Sequence, residues 1–232
     1  EIMPSLVGSE MCIRDRFETI QDTRNLKAAY LGLEKAMDEN YYVPLMLSFT
    51  IESTGTTLAG QTADAFYYAV HHMNPLSVGL NCATGPEFMT QFLKKLNEVS
   101  NTYISVYPNA GLPNEEGQYE ETPSTLAAKI EPFFQNKFLN IVGGCCGTTP
   151  AFIKAIKDKS IGYDPRVIDE NKNENAVTGL ITLEVPKDRP IYVGERTNVI
   201  GSRIFKNLIA NEKFDEATEV ARLQIKGRAD VI

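Results

Sequence analysis

The chain has 232 residues, of which 43% are hydrophobic and 23% charged, a balance typical of a globular protein with one or two domains. A net charge of −7 argues against nucleic acid or an anionic membrane surface as the main partner. The four cysteines, two of them adjacent, do not form the pattern of a disulfide framework. With no signal peptide and no apolar run long enough to span a bilayer, we expect a cytoplasmic protein.

The first stretch of the chain, residues 1–15, shows no helix or strand periodicity. Cys12 lies in this stretch without neighbours that suggest a ligand. The string at 5–16 resembles a translated sequencing adapter. We therefore interpret 1–15 as an artefact or a disordered terminus, and we start the first domain at residue 16.

From Phe17 onward, short apolar runs alternate with amphipathic segments, which predicts repeated β/α units. The predicted strands lie at 17–20, 43–51, 77–82, 103–107 and 138–142. The predicted helices lie near 26–37, 62–72, 89–96, 123–135 and 150–157. A complete (β/α)₈ TIM barrel needs eight such units. We therefore predict an α/β fold that is the C-terminal part of a barrel, with five of eight units, over residues 16–158.

The remainder of the chain predicts a linker and a second domain. Residues 159–189 are polar and contain several prolines, so we predict an inter-domain linker with a short strand at 178–184. Residues 190–193 and 229–232 are predicted as strands, and 202–211 and 213–227 as helices. We interpret 190–232 as the first β/α unit of a second TIM barrel.

Two adjacent cysteines, Cys145 and Cys146, follow the last predicted strand of the first domain. Neighbouring residues on a regular strand point to opposite faces, so the two sulfurs can meet only where the backbone leaves strand geometry. Glycine permits this by adopting positive φ. Three glycines flank the pair: Gly143, Gly144 and Gly147. The following Thr149 and Pro150 predict a helix start, whose positive dipole end favours thiolates.

Cys82 also ends a predicted strand, about two β/α units earlier in the chain. In a barrel, such strand ends meet at one mouth, where the chemistry takes place. A lone cysteine is more often an ordinary core residue. Three cysteines at glycine-rich strand ends instead predict a zinc site formed by Cys82, Cys145 and Cys146. Three protein ligands with a fourth position open form the pattern of a catalytic zinc rather than a structural one.

Four motifs resemble segments of one enzyme family, the cobalamin-dependent methionine synthases. The segments 79–82, 107–114 and 142–150 resemble its homocysteine-binding module. The segment 193–202 resembles the opening of its folate-binding module, although Ile200 stands where the family usually has Thr. The paired cysteines alone would fit any zinc-dependent homocysteine methyltransferase, so the fourth motif is what indicates methionine synthase.

The resemblance also implies roles for residues at the strand ends. Glu18 matches a carboxylate that holds the amino group of the substrate, and Asn81 and Asn109 are further candidates for substrate binding. Asn109 matches a family asparagine, and we expect its amide oxygen to be the fourth zinc ligand when homocysteine is absent. The alternatives without a role in binding are that Glu18 is a solvated charge at the rim of the barrel and that the two asparagines are turn residues at strand ends.

The resemblance implies four folate-binding residues as well. The implied folate-binding residues are Glu195, Arg196, Thr197 and Asn198, for which capping and ion pairing at a barrel rim are the alternative. Asp22 is expected to cap a helix. His71 and His72 lie on a helix away from the barrel mouth, so we expect them at the surface.

The ligand set suggests the chemistry. Three thiolates give the zinc ion a net negative formal charge, so it activates water poorly but keeps a fourth thiolate nucleophilic. The resemblance implies that L-homocysteine receives a methyl group from methylcobalamin, which 5-methyltetrahydrofolate recharges. The cobalamin would be held by another domain of the full-length chain, and we expect the fragment itself to be inactive. Two alternatives stay open: a homocysteine methyltransferase that uses betaine or S-methylmethionine, and a non-catalytic zinc-binding module.

Overall fold

The structure is a computed structural model that describes residues 15–37, 43–169 and 175–232. Cys12 and most of the suspected artefact lie outside these residues. The chain divides into two compact units between Leu183 and Glu184, inside the region predicted as a linker. Within the described ranges, no helix is long and apolar enough to cross a lipid bilayer.

Strands and helices alternate between residues 15 and 160 of the first unit, and the five strands of this region form one parallel sheet whose order follows the chain. This confirms the predicted α/β class with five parallel strands. The elements are β1 (Asp15–Ile20), α1 (Thr23–Ala36), β2 (Leu45–Phe49), α2 (Ala63–Val70), β3 (Ser77–Asn81), α3 (Pro86–Val99), β4 (Tyr103–Tyr107), α4 (Pro123–Gln135), β5 (Ile141–Val142) and α5 (Pro150–Ser160).

The core of this unit forms between the sheet and its helices. One set of alternating strand residues, including Leu80 and Val106, is fully buried together with residues of α2, α3 and α4. Phe49 of β2 stacks on Phe66 of α2 with ring centroids 3.9 Å apart. The other set includes small polar residues such as Ser48 and Ser105 besides larger ones such as Met46. The carboxyl ends of the parallel strands all reach the same edge of the sheet.

The last strand of this sheet is shorter than predicted. The sequence predicts a buried strand at 138–142, but β5 contains two residues, both half-buried. Asn140 interrupts the ladder because its side-chain Oδ1, rather than a backbone carbonyl, accepts a hydrogen bond from the Ile104 amide (3.0 Å). Its Nδ2 donates to the Arg166 carbonyl (2.7 Å), so this side chain fastens the segment after α5 to the sheet.

Arg166 anchors that segment from a buried position, with only 4% of its surface exposed. Its guanidinium donates to Asn97 Oδ1 (2.7 Å), to the Thr102 carbonyl (2.8 Å) and to the Ser100 carbonyl. Ser100 is the C-cap of α3, where unpaired carbonyls and the helix dipole favour a cation. Burial lowers the pKa of Arg166. The start of the predicted linker is therefore packed against the first unit.

Replacing Arg166 with alanine should destabilise the first unit by about 3 kcal/mol, because three buried acceptors lose their charged donor. Urea unfolding followed by circular dichroism measures the change. Arg24→Ala removes an exposed arginine on α1 and should leave stability within about 0.5 kcal/mol of the original. Equal stability of the two variants would contradict the anchoring role of Arg166.

The predicted strand at 178–184 is two short strands instead. β6 (Ala176–Thr178) and β7 (Thr182–Glu184) pair with each other, because the chain turns at 179–181. The Gly179 carbonyl accepts a hydrogen bond from Gln61 Nε2 (3.1 Å), and the Leu180 carbonyl accepts one from the Thr62 amide (2.9 Å). The turn is thereby tied to the N-terminus of α2.

The second unit contains two helices, α6 (Arg203–Ala210) and α7 (Phe214–Lys226), close to the predicted ranges. The predicted strands at 190–193 and 229–232 are present only as a single parallel bridge between Val193 and Val231. Two extended segments that pair in parallel and are connected through helices have the arrangement of a β/α unit. Large apolar side chains such as Ile200 and Leu223 are exposed in this unit. Whether it opens a second barrel stays a prediction.

Candidate metal centre

Three cysteine sulfurs converge at the carboxyl ends of the strands. The Cys82 sulfur lies 3.5 Å from that of Cys146, which lies 3.9 Å from that of Cys145. All three sulfurs are within 4.8 Å of one another. Sulfur ligands at ~2.3 Å from one tetrahedral zinc ion lie about 3.8 Å apart. The cluster therefore fits a metal ion bound by three thiolates with a fourth position left open.

Cys82 reaches the cluster through a turn that the sequence did not predict. Cys82 and Ala83 both adopt left-handed backbone conformations, with φ of 57° and 56°. Such angles cost a residue with a side chain roughly 1–2 kcal/mol each. The Cys82 amide still donates to the Tyr107 carbonyl (3.0 Å), so the sheet ladder continues up to the turn. Nothing in the residue types at these positions signals this conformation.

Cys145 and Cys146 reach the cluster on an irregular extension of β5. The Cys145 amide donates to the Pro108 carbonyl and the Ala110 amide donates to the Cys146 carbonyl, both at 2.9 Å. These bonds hold the paired cysteines beside the segment that follows β4. The helix start is as predicted, since α5 begins at Pro150 after Thr149, although the Thr149 side chain makes no capping hydrogen bond.

The flanking glycines are needed for two different reasons, and only one of the three adopts the positive φ that glycine permits. Gly147 has a φ of 78°. At the other two positions space is limiting: a Cβ on Gly143 would lie 2.7 Å from Cδ1 of Tyr107, and one on Gly144 would lie 2.6 Å from Cγ2 of Thr148. The close approach of neighbouring side chains therefore excludes larger residues there.

Asn109 lies between the two ligand-bearing segments, with 5% of its surface exposed. Its Oδ1 accepts a hydrogen bond from the Cys146 amide (3.2 Å). Asn109 therefore borders the cluster. The oxygen that the sequence suggests as a fourth zinc ligand is engaged by a backbone amide here.

The pKa values of Cys82 and Cys145 are shifted in opposite directions. Burial alone raises the pKa of Cys82, but hydrogen bonds from the Ala83 amide, the other two cysteines and Asn109 outweigh it, so the net pKa is lowered. Burial, together with the interaction with Cys82, raises the pKa of Cys145 to about 12. In the metal-free cluster, negative charge is therefore favoured on Cys82, while Cys145 stays protonated.

Zinc affinity should rise with pH, by at least about tenfold per pH unit between about pH 6.5 and 8.5. The metal needs Cys145 as a thiolate, and the metal-free pKa of about 12 means that binding must release this proton across that range. Competition titrations against a chromophoric chelator at several pH values measure the slope. A pH-independent affinity would contradict the involvement of Cys145.

Two of the predicted substrate residues make contacts within the scaffold. Asn81 is fully buried, and its Oδ1 accepts from the Thr19 amide (3.1 Å) and the Ser48 hydroxyl (2.7 Å). Its Nδ2 donates to the Thr19 hydroxyl (2.8 Å), so Asn81 ties three neighbouring strands together. Glu18 is exposed on β1 and forms an ion pair with Arg16 (2.9 Å). Within the described residues, no hydrogen bond joins either side chain to the three sulfurs.

The structure confirms the helix cap and the two surface positions that the sequence predicts for three polar residues. Asp22 is the N-cap of α1, and its side chain accepts a hydrogen bond from the Arg24 amide (2.8 Å). His71 and His72 are exposed in a 3₁₀ turn after α2.

The predicted folate residues lie in the second unit, on the turn between Val193 and α6. Arg196 donates its backbone amide to Gln224 Oε1 (2.7 Å). Glu195 and Arg196 line a surface cavity of about 470 Å³, whereas Thr197 and Asn198 do not. Asn198 shapes the turn instead, because its Oδ1 accepts the Ile200 amide (2.9 Å).

The sequence also missed Tyr119, on the loop between β4 and α4. The one signal in the sequence is an aromatic residue in a long polar loop. The ring of Tyr119 packs directly against Gly147. Burial and the neighbouring charge of Cys146 raise the pKa of Tyr119, so its hydroxyl stays protonated.

Residues 16–160 match the family model described as homocysteine S-methyltransferase, and this match covers more than half of the chain. The chain belongs to the homocysteine S-methyltransferase family. This confirms the homocysteine methyltransferase part of the sequence interpretation. Family membership does not separate cobalamin-dependent methionine synthases from members that use another methyl donor.

The fold of this homocysteine S-methyltransferase family member is also similar to that of the homocysteine methyltransferase MmuM from Escherichia coli. The apo form is 23% identical, with a TM-score of 0.50 over 64% of this chain and 49% of that chain. The metallated form is 24% identical, with a TM-score of 0.51 over 64% of this chain and 45% of that chain. The chain thus spans about half the length of the structures it matches.

Proposed function

We propose that this chain binds Zn²⁺ through Cys82, Cys145 and Cys146 and provides the homocysteine-activating half of a reaction that forms L-methionine. The observation that carries the proposal is the convergence of the three sulfurs in a member of this family. One of the two matched MmuM structures is a metallated form, which also supports metal binding.

The donor set suits alkyl transfer to sulfur. Zinc held by three thiolates supplies charge that keeps an added thiol deprotonated while leaving it electron-rich. The chain's own residues hold and aim the ligands: the left-handed turn at Cys82 directs one sulfur out of the sheet, and Asn109 fixes the backbone of Cys146. Cys146 is exposed, so a substrate sulfur can approach the cluster from solvent.

The substrate contacts are part of the proposal. Glu18 offers an exposed carboxylate for the ammonium group of L-homocysteine, for which it would have to leave its ion pair with Arg16. Asn109 can line the sulfur site, and it can reach the metal through Oδ1 only by releasing the Cys146 amide. For Asn81 we propose an indirect role in substrate binding, because its hydrogen bonds to Thr19 and Ser48 fix the ends of the neighbouring strands.

For the methyl donor we propose methylcobalamin, recharged by 5-methyltetrahydrofolate. The support is the motif at 193–202, which forms the turn after the Val193 bridge and leads into α6, as at the start of a second β/α barrel. Glu195, Arg196, Thr197 and Asn198 are the proposed folate contacts. Cobalamin would be bound by a domain outside the described residues.

A second candidate is methyl transfer directly from S-methylmethionine or betaine. The family match and the likeness to the homocysteine methyltransferase MmuM favour it at least as well. A zinc module without catalysis is the third reading, in which the sulfurs bind metal but not substrate.

Two measurements test these proposals. Calorimetric titration of the zinc-loaded chain with L-homocysteine should show binding with proton release, whereas L-methionine, whose sulfur carries no proton, should release none. Absence of homocysteine binding would favour the non-catalytic module. In the intact enzyme, methionine formation with methylcobalamin, but not with S-methylmethionine or betaine, supports the first donor, and the opposite pattern supports the second.

A further inference from the structure

One arginine side chain of the first strand reaches an aromatic ring at the end of the fourth. The guanidinium carbon of Arg16 lies over the ring of Tyr107, 4.9 Å from its centroid. A nitrogen of the same guanidinium lies 2.9 Å from a carboxylate oxygen of Glu18. The group is therefore held between a carboxylate and an aromatic face, and both of these interactions favour a cation.

The backbone of β1 turns Glu18 away from the helices. The register of β1 on β2 shifts between Phe17 and Ile20, which marks a β-bulge. Both of these residues contact the hydrophobic core, so Glu18 and Thr19 between them are left exposed. Asn81 holds the bulge, because its side chain hydrogen-bonds to the Thr19 amide (3.1 Å) and hydroxyl (2.8 Å). The carboxylate is thus positioned by the residue that precedes the first cysteine of the cluster.

Tyr107 lies next to both segments that carry the cysteines. Its backbone carbonyl accepts a hydrogen bond from the Cys82 amide (3.0 Å). Its ring packs on Gly143, where a Cβ would lie 2.7 Å from the ring atom Cδ1. Gly143 is two residues before Cys145 in the chain. A cation held on this ring is therefore beside the segments that position the metal ligands.

We propose that Glu18 and Tyr107 together bind the ammonium group of the amino-acid substrate, and that the Arg16 guanidinium is the internal cation which the substrate displaces. The inference rests on the proposed function, in which Glu18 binds L-homocysteine. It adds the aromatic face as a second contact and identifies a competitor for the site. The Arg16 side chain is 36% exposed, so the displaced guanidinium can move into water.

A site of this kind selects its ligand by charge. An ammonium group gains the carboxylate and the ring face together, whereas a ligand end without positive charge gains neither and leaves the Arg16 contacts in place. The probe that separates these cases is 4-mercaptobutyrate, which has the thiol and carboxylate of L-homocysteine but no ammonium group. Its affinity should not depend on the side chains at positions 16, 18 and 107.

Arg16→Ala removes the competing cation. Calorimetric titration of the zinc-loaded 232-residue chain should show L-homocysteine binding about fivefold tighter, because an exposed ion pair and a cation–π contact no longer have to be broken. The affinity for 4-mercaptobutyrate should stay the same. Arg24→Ala is the matched control, since it removes an exposed arginine of the same charge from α1 and should change neither affinity.

The ring itself is tested in the Arg16→Ala background, where no internal cation competes. Tyr107→Leu removes the aromatic face and should weaken L-homocysteine binding about fivefold relative to 4-mercaptobutyrate. Tyr107→Phe keeps the face and should restore the ratio of the two affinities. Glu18→Gln should lower the same ratio about tenfold. Because each result is a ratio, a change in the metal centre that affects both thiols equally does not alter it.

The outcomes separate the ammonium site from the proposed function. If the zinc-loaded chain binds neither thiol, the proposed function is wrong and the ammonium site falls with it. If both thiols bind but Arg16→Ala leaves the ratio of their affinities unchanged, the inference is overturned while thiol binding to the metal stands. The inference is also overturned if Tyr107→Phe lowers the ratio as much as Tyr107→Leu.

Discussion

Replacing Cys146 with serine should reduce zinc affinity by about 100- to 1,000-fold. Zinc sites built from several thiolates bind with about 10–16 kcal/mol, so each ligand contributes roughly 3–4 kcal/mol. A serine hydroxyl does not ionise near neutral pH and leaves two thiolates, Cys82 and Cys145, to hold the ion. Chelator competition at fixed pH measures the loss, and metal analysis of the purified protein gives the stoichiometry.

The chain offers a matched control for this variant. Cys12 lies in the segment that shows no ligand pattern, so Cys12→Ser should leave both affinity and stoichiometry unchanged. Serine variants of Cys82 and Cys145 should each match Cys146→Ser within about tenfold. Full zinc affinity in Cys146→Ser, or loss of zinc in Cys12→Ser, would contradict the assignment of the three ligands.

Replacing Gly79 with alanine should destabilise the first unit by about 3 kcal/mol or more. Gly79 of β3 is the register partner of Ser105 in β4. A Cβ at this position would overlap the Ser105 carbonyl oxygen and lie 2.6 Å from its carbonyl carbon. Both belong to the backbone of the neighbouring strand, so the clash can be relieved only by separating β3 from β4.

The same change should weaken the metal site, because Cys82 follows β3 and Asn109 follows β4. Urea unfolding of the metal-free protein measures stability, and zinc titration measures the site. Gly32→Ala is the control: Gly32 lies inside α1 with no atom within 4 Å of the added Cβ, so it should stabilise by about 0.5–1 kcal/mol. An unchanged unfolding midpoint for Gly79→Ala would contradict the close strand approach.

The parallel sheet and the cluster could be predicted because they depend on local patterns. Alternating apolar runs and amphipathic helices place the strands, and cysteines at strand ends of a parallel sheet must lie at one edge. The family resemblance then gave the class of chemistry. These are rules of chain direction and periodicity, and they need no knowledge of which side chains touch.

What could not be predicted depends on tertiary contacts. The left-handed turn at Cys82 and Ala83 is imposed by its surroundings against the preference of both residues. Asn140 shortens β5 because its side chain finds Ile104 and Arg166, which are distant in the sequence. Tyr119 meets Gly147 only once the loop after β4 is folded. In each case the deciding partner lies on another element.

X-ray absorption at the zinc K-edge, on the zinc-loaded chain with and without L-homocysteine, tests the metal centre and its binding of substrate most directly. We expect three sulfur ligands at about 2.3 Å and one lighter atom in the free state, and four sulfurs after L-homocysteine is added. Fewer than three sulfurs in the free state would contradict the metal centre. A coordination shell unchanged by saturating L-homocysteine would contradict the binding of its thiolate to the metal.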